Sequence, residues 1–225
     1  MATTNQKTQE EVRKENIEAT VSKTEKFLNE NQKTIWTVLI AILVIGLAVL
    51  AYSKFIYTPK CAEAMAAAYP AEASFQAGEY ELALNGDGNV AGFEQIISDY
   101  GTKAGKDVYF YAGVCKLQLG EYEDAISYLA RYKGKEPILA ARALACQGDA
   151  YVALGDCQAA VKCYVAAAGK ADNAFTPNYL VKAGLAYEQL GDKESAVKMY
   201  RRIKDNYPMS IESYDIDRYI SAAEE

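Results

Sequence analysis

The sequence contains no histidine, and this absence removes several classes of chemistry at once. Ser-His-Asp and Cys-His catalysis need an imidazole base, and imidazole metal sites need it as a ligand. Neither a GxxxxGK(S/T) phosphate loop nor GxGxxG after a strand occurs. The turn-forming run at 85–89 lacks the alternating acidic ligands and closing glutamate of a calcium loop. We therefore expect no enzymatic activity, no metal, no cofactor and no small-molecule substrate.

Positive charge is scarce as well. The formal net charge is −6 at pH 7, and the residues beyond position 57 carry the acidic excess. Because nucleic-acid binding needs a basic footprint, we exclude nucleic acid as a partner. Phenylalanine is also rare, with 6 residues against 18 tyrosines, which suits an amphipathic helical array whose rings reach its surface.

The five cysteines include no CxxC pair, so the sequence contains neither a thioredoxin-type redox motif nor a zinc knuckle. In an oxidising compartment their odd number would leave at least one thiol unpaired or bridging two chains. Cys157 and Cys163 are six residues apart on one predicted helix and should face different directions. We expect most of the five to be small core or surface residues, and the sequence assigns no pairing.

One long apolar run stands out against these absences. Residues 35–52 read IWTVLIAILVIGLAVLAY, with one mild polar group at Thr37 and no charge. At about 1.5 Å per residue this run nearly matches a hydrocarbon core of about 30 Å. Aromatic residues suited to the two membrane interfaces flank it: Trp36, Tyr52 and Tyr57. A buried core helix rarely stays apolar all round for this length, and a cleaved signal peptide has shorter segments, so the run predicts a transmembrane helix.

The orientation of this span follows from the Lys and Arg residues on its two sides. Six precede it: Lys7, Arg13, Lys14, Lys23, Lys26 and Lys33. Beyond it come Lys54 and Lys60, and then none until Lys103. We therefore expect a single-pass protein with a cytoplasmic tail (1–34, helical or disordered), a span at 35–57 and a translocated remainder.

Three segments behind the span share one pattern, at 109–132, 144–167 and 180–203. Four columns stay in register at spacings of 35 and 36 residues: Gly113, Gly148 and Gly184; Gly120, Gly155 and Gly191; Ala125, Ala160 and Ala196; Leu129, Tyr164 and Tyr200. Each segment has an apolar stretch at helical spacing, a Gly followed by Glu or Asp, and a second amphipathic stretch. This order predicts a helical hairpin.

Each column has a physical reason. The first-column Gly and the Ala are small because we expect the paired helices to approach closely there, with the fourth-column residues filling the space beside them. The turn Gly tolerates the left-handed backbone that ends a helix. Looser matches extend the pattern upstream, with helices expected at 62–77, 79–84 and 90–100. Downstream, 211–225 predicts a final helix that seals the array, with four apolar residues: Tyr214, Ile216, Tyr219 and Ile220.

This pattern resembles the tetratricopeptide repeat (TPR) over about residues 106–208. Lys116 and Cys157 depart from it by replacing common aromatic residues, and Asp172 stands where a closing Pro is expected. The resemblance implies an all-α fold, in which one N-terminal transmembrane helix precedes a TPR α-solenoid of about four hairpins plus a C-terminal capping helix. The expected domains after the span are a divergent membrane-proximal hairpin with an insertion (58–105), three repeats (106–208) and the capping helix (209–225).

In TPR arrays the first helix of each unit usually lines a concave face. At matching positions the resemblance implies a protein-binding groove formed by Asp107, Phe110, Val114, Leu117, Arg142, Ala145, Asp149, Asn178, Val181 and Leu185. A mixed apolar and acidic groove suits an extended peptide or a partner helix. The alternative is that Phe110, Val114 and Leu117 pack against a neighbouring helix. A basic cluster at Lys198, Arg201, Arg202 and Lys204 is explained more simply by the helix dipole than by a lipid or acidic-partner site.

The arrangement of tail, span and repeats resembles the YfgM-like ancillary subunits of the bacterial Sec translocon, and residues 75–105 resemble membrane-anchored TPR proteins of Bacteroidetes. This implies a Gram-negative inner-membrane protein with periplasmic repeats. It would associate with SecYEG and with membrane-anchored chaperones of the PpiD type, and pass emerging chains onward. Two other hypotheses stay open. One is a structural scaffold of another envelope assembly or secretion machine, and the other is an enzyme accessory or redox sensor that uses its thiols.

Overall fold

The computed structural model describes residues 31–224 together with Arg13, Lys26, Leu28 and Glu30. Most of the predicted cytoplasmic tail therefore lies outside the described residues. The chain divides into two compact units, Met1–Thr58 and Pro59–Glu225. The described residues are mainly helical and contain no strand, only an isolated bridge between Gly86 and Ala91.

The described part of the first unit is dominated by one apolar helix, α1, over Gln32–Tyr52, which continues into a π-helical turn at Ser53–Tyr57. No side chain of α1 is buried, whereas the core helix of a globular domain is mostly buried. The hydroxyl of Thr37 donates to the carbonyl oxygen of Lys33 at 2.8 Å, so this polar group is satisfied within the helix, as a lipid environment requires. By length and composition α1 is a candidate membrane span, and its orientation stays a prediction.

The helices that follow are α2 (Thr58–Gln76), α3 (Tyr80–Asn85), α4 (Phe93–Tyr100), α5 (Asp107–Gln118), α6 (Tyr122–Arg131), α7 (Pro137–Ala153), α8 (Cys157–Lys170), α9 (Thr176–Gln189), α10 (Lys193–Asn206) and α11 (Ile216–Glu224). Short 3₁₀ turns lie at Gly101–Ala104 and Ile211–Asp215. Three full hairpins pair α5 with α6, α7 with α8 and α9 with α10. The predicted array of helical hairpins is therefore confirmed.

The paired helices approach most closely at the glycines of the first column. A Cβ atom on Gly113 would lie 2.6 Å from the side chain of Leu129, and one on Gly148 would lie 2.5 Å from the ring of Tyr164. On Gly184 it would overlap the ring of Tyr200. The facing alanines are fully buried: Ala125, Ala160 and Ala196. The close-approach explanation of these columns is thus confirmed.

The second glycine column ends helices for a different reason. The φ angles of Gly120, Gly155 and Gly191 are 83°, 79° and 75°, and no atom lies within 4 Å of a Cβ added there, so the constraint is conformational. One backbone hydrogen bond of 2.9–3.0 Å recurs at each turn: Glu121 to Lys116, Asp156 to Tyr151 and Asp192 to Tyr187. The carboxylates of Asp156 and Asp192 then cap the helices that follow. The same residue pair therefore ends one helix and starts the next.

Buried residues form two core clusters, one from α2 to the start of α7 and one from α7 to α11. The last helix, α11, packs on α10 through the buried side chains of Ile216 and Ala223. The sequence pattern predicts one continuous helix from Ile211 with Tyr214 among its apolar residues. Instead the segment begins as a 3₁₀ turn, and the side chain of Tyr214 is 87% exposed.

Candidate protein-binding face

The ten residues predicted to line a groove all lie on α5, α7 and α9, the first helices of the three full hairpins. Four are exposed: Asp107, Arg142, Asn178 and Leu185. Four are half-buried: Val114, Leu117, Asp149 and Val181. The other two, Phe110 and Ala145, are buried in the core clusters. We call the solvent-facing side of these three helices the first-helix face.

Phe110 packs inside the array instead of lining its surface. The centre of its ring lies 5.7 Å from that of Tyr111 and 6.1 Å from that of Tyr132, both in edge-on geometry. Such aromatic pairs add stability beyond the apolar area that they bury. For Phe110 the structure therefore supports the packing alternative, whereas Val114 and Leu117 keep part of their surface exposed.

One position of each hairpin recurs as a row. Asp107, Arg142 and Asn178 are 35 and 36 residues apart, and the same steps lead back to Glu72 on α2 and forward to Tyr214. We call these five residues the ladder. Glu72 is half-buried and the other four are exposed. Continuing the repeat spacing by one unit in each direction would have found Glu72 and Tyr214, which the sequence prediction missed.

The acidic end of the ladder consists of Glu72 and Asp107. Burial raises the pKa of Glu72, and the negative charge of Asp107 raises that pKa further. The pKa of Tyr111 is raised by burial first and then by the same two carboxylates. Within the described residues neither carboxylate forms an ion pair. The acidic end of the ladder therefore carries two carboxylates that described cations do not neutralise.

Arg142 supplies positive charge to the middle of the ladder. Its guanidinium carbon lies 6.0 Å from the centre of the Phe110 ring and 5.9 Å from that of Phe175. Aromatic faces attract a guanidinium without using the N–H donors in its plane. In the described part of the chain no carboxylate pairs with Arg142. Phe175 is 48% exposed, and the sequence prediction did not include it in the groove. A phenylalanine in the loop between two repeats could have indicated a functional residue, because the chain has only 6 phenylalanines.

Asp149 belongs to the predicted groove but is already neutralised. Its carboxylate accepts hydrogen bonds from the ammonium of Lys182 at 2.7 and 2.9 Å and from the hydroxyl of Tyr164 at 2.7 Å. The pKa of Tyr164 is raised by burial and then by this hydrogen bond. These contacts join α7, α8 and α9, so Asp149 and Lys182 hold repeats together. The sequence prediction missed Lys182.

Two residues of the basic cluster on α10 form ion pairs within the array. Arg201 pairs with Glu224 and Lys204 pairs with Asp217, each at 2.7 Å. Both acidic partners lie on α11, so half of the cluster holds that helix in place. A surface cleft of about 880 Å³, lined by both acidic and basic side chains, lies between α10 and α11.

Burial raises the pKa of three of the five cysteine thiols. All five are free, and burial raises the pKa of Cys115 to about 12 and that of Cys146 to about 11. Burial also raises the pKa of Cys163. Since the thiolate is the reactive form, these three thiols are poor nucleophiles at neutral pH. The Sγ of Cys157 donates to the side-chain oxygen of Gln189 at 2.8 Å.

The acidic residue of the turn-forming run, Asp87, is committed to the backbone. Its carboxylate accepts the N–H groups of Val90 and Asn89 at 2.8 and 2.9 Å, and these bonds lower its pKa. Among the described residues no group of three or more His, Cys, Asp or Glu side chains is placed to hold a metal ion.

Comparison with known families agrees with the hairpin geometry. Two family models described as Tetratricopeptide repeat match the chain, at residues 107–137 and 147–210. Among curated proteins, none matches the sequence significantly. Together with the hairpins, the two matches confirm the predicted all-α TPR solenoid that follows an apolar N-terminal helix. They concern the repeats alone, so the narrower likeness to translocon subunits and to Bacteroidetes proteins stays a hypothesis.

Proposed function

We propose, from the tetratricopeptide repeats that the chain carries behind a candidate membrane span, that it is a membrane-anchored module that binds other proteins without chemistry of its own. The observation that carries this proposal is the contrast among its charged groups. Asp149, Lys182 and Lys204 are paired within the array, whereas the charged members of the ladder form no ion pair with described residues. Unpaired charges on a rigid helical scaffold are suited to partner recognition.

The setting that we propose is the bacterial inner membrane, with the tail in the cytoplasm and the repeats in the periplasm. The asymmetry of Lys and Arg around the span supports this orientation. There the repeats would bind a SecYEG-like translocon, a membrane-anchored periplasmic chaperone or emerging polypeptides. The span would raise the effective concentration of the repeats near these partners.

Site-specific photo-crosslinking in intact membranes tests this function. A photoreactive amino acid replaces Leu185 on the first-helix face, and the matched control replaces Lys162, an exposed residue of α8. Translocon components, chaperones or nascent chains that crosslink from position 185 and not from 162 support the proposal. Partners from another envelope assembly would favour the scaffold hypothesis, and identical crosslinks from both positions would contradict a role for this face.

Two further measurements test the setting and the remaining alternative. Protease added to spheroplasts should digest the repeats, and protected repeats beside a digested periplasmic control would overturn the orientation. Thiol labelling of the oxidised and reduced protein addresses a redox role. We expect slow labelling of Cys115 and Cys146 in both states, because burial raises their pKa values.

A further inference from the structure

We propose that the ladder binds an extended peptide in which a basic residue and an acidic residue stand three positions apart, the basic one at Asp107, which Glu72 precedes in the ladder, and the acidic one at Arg142. This inference rests on the proposed binding function and adds to it the chemistry of the partner. It commits the ladder to a segment that carries one charge of each sign and not to a uniformly acidic or basic one.

The charge pattern of the ladder carries the first step. Helices α2 and α5 meet where the rings of Phe75 and Tyr111 lie 5.0 Å apart, about one helical turn beyond Glu72 and Asp107. No described cation pairs with either carboxylate. The next member along the row is the guanidinium of Arg142. A bound chain that satisfies both must therefore present opposite charges in order.

The aromatic rings beside the guanidinium of Arg142 favour a carboxylate as its ligand. Its guanidinium is flanked by the rings of Phe110 and Phe175 at 6.0 and 5.9 Å, and it makes no side-chain hydrogen bond or ion pair in the described part of the chain. A guanidinium held against rings keeps its planar donor fork, which matches the two oxygens of a carboxylate. Because Phe175 is 48% exposed, an apolar side chain next to the acidic residue gains a contact surface.

The spacing follows from helix packing. Helices α5 and α7 carry Asp107 and Arg142 and contact each other directly. Helices in contact have axes about 8–10 Å apart, and an extended chain advances about 3.3 Å per residue. One step of the ladder therefore corresponds to about three peptide residues. Nothing in this geometry fixes the direction of the peptide, so Lys-x-x-Glu and Glu-x-x-Lys fit equally.

Fluorescence anisotropy with synthetic peptides tests the proposal on the full-length protein in lipid nanodiscs at low salt. The probe is a labelled decapeptide that carries Lys-x-x-Glu in a neutral background. Comparison peptides replace either charged residue by Ala, shorten the spacing to Lys-x-Glu, or carry Lys-x-x-Lys. We expect the Lys-x-x-Glu peptide to bind most tightly, with each alanine or spacing change weakening binding about fivefold.

Charge reversal at Arg142 gives the sharper readout. Arg142→Glu should weaken binding of the Lys-x-x-Glu peptide at least about tenfold and make the Lys-x-x-Lys peptide the preferred ligand. The matched control, Lys162→Glu on α8, makes the same charge reversal at an exposed position and should change neither affinity.

Three results would overturn the ladder proposal: equal binding of all peptides, no binding of any peptide, or no exchange of preference in Arg142→Glu. In each case, partner crosslinks that persist from position 185 and not from 162 would leave the proposed function standing. Absence of those crosslinks alongside intact peptide discrimination would instead overturn the proposed partners and membrane setting and keep the ladder.

Discussion

The two core clusters of the array are held together by different contacts. The first centres on rings: Phe75 lies 5.0 Å from Tyr111 and 6.4 Å from Phe93, measured between ring centres. The second repeats one device, in which Tyr164 and Tyr200 lie against glycines of the facing helix and donate to carboxylates of that helix at 2.7 and 2.8 Å. We call the first cluster (residues 64–143) the divergent half of the array and the second cluster (residues 141–223) its regular half. The regular half reuses one local contact, whereas the divergent half depends on contacts between segments distant in sequence.

Lys116 shows the same difference at a single position. In the second and third repeats the equivalent residues are Tyr151 and Tyr187. The side chain of Lys116 is 10% exposed, and its ammonium pairs with Glu94 at 2.8 Å and with Glu121 at 2.6 Å. Burial lowers the pKa of Lys116, but the hydrogen bonds to the two glutamates outweigh this and raise it overall. The ion pairs fasten α4 to the first full hairpin.

The largest expected loss of stability comes from removing the ring of Tyr200, which lies in the regular half. Tyr200 is fully buried, so Tyr200→Ala leaves a cavity and an unpaired Glu188, and should lower the free energy of unfolding by about 3–5 kcal/mol. Urea unfolding of the full chain in detergent, followed by circular dichroism, measures this. The control, Tyr214→Ala, truncates an 87% exposed ring and should stay within about 0.5 kcal/mol. Equal losses would contradict the packing described here.

A smaller effect is expected at Lys116 in the divergent half. Lys116→Ala leaves two facing glutamates without their cation and should cost about 2 kcal/mol, less than a fully buried pair because the glutamates are partly exposed. Lys116→Tyr, which introduces the residue of the regular repeats, should recover part of the loss through apolar packing. The same urea experiment distinguishes them. If Lys116→Ala is neutral, the ion pairs do not fasten α4.

Turn glycines should behave alike in the two halves, because their role is conformational in both. Gly78 and Gly191 have φ angles of 79° and 75° with open space around them. Gly78→Ala and Gly191→Ala should each cost about 1–2 kcal/mol. Gly169 lies inside α8 and has no positive φ angle. Gly169→Ala should therefore raise the stability of the protein, by about 0.5–1 kcal/mol. Thermal unfolding midpoints of the three variants check this order.

The smallest effect concerns acid stability. Hydrogen bonds from the side chain and then the backbone of Ser195 lower the pKa of Asp192, which caps α10. Because the pKa of Asp192 is lower in the folded state, the ionised carboxylate stabilises the fold fully at pH values above the usual carboxyl pKa. This stabilisation is lost as the pH falls below about 4. Asp192→Asn should therefore lower the thermal midpoint slightly at pH 6 and flatten its fall at low pH. Ser98→Ala, which removes no titrating group, should leave the pH profile unchanged.

The regular half was predictable because its contacts repeat at fixed spacing. Gly148 and Tyr164 or Gly184 and Tyr200 appear as columns, and local rules of helix geometry are enough to pair them. In the divergent half only the helices and the contact between Gly113 and Leu129 were predictable. Nothing in the sequence joins Lys116 to Glu94, or Phe75 to Tyr111, because such contacts depend on how the inserted turn at 86–92 returns the chain to the array.

The candidate protein-binding face was likewise predictable only in part. The first-helix positions followed from the repeat spacing, but the burial of Phe110 and Ala145 and the neutralisation of Asp149 by Lys182 did not. A side chain on a helix surface is exposed or covered according to which neighbouring helix lies over it, and that is a property of helix packing. Phe175 beside Arg142 is a similar case, since a loop residue and a helix residue meet only in the assembled array.

The sequence by itself determined that the chain has one apolar helix long enough to cross a membrane and an array of helical hairpins, because length, periodicity and glycine spacing act locally. Only the tertiary structure decided which charged side chains form internal ion pairs and which stay unpaired on the ladder. Electrostatic pairing depends on distances between helices, and those distances exist only after the hairpins have packed.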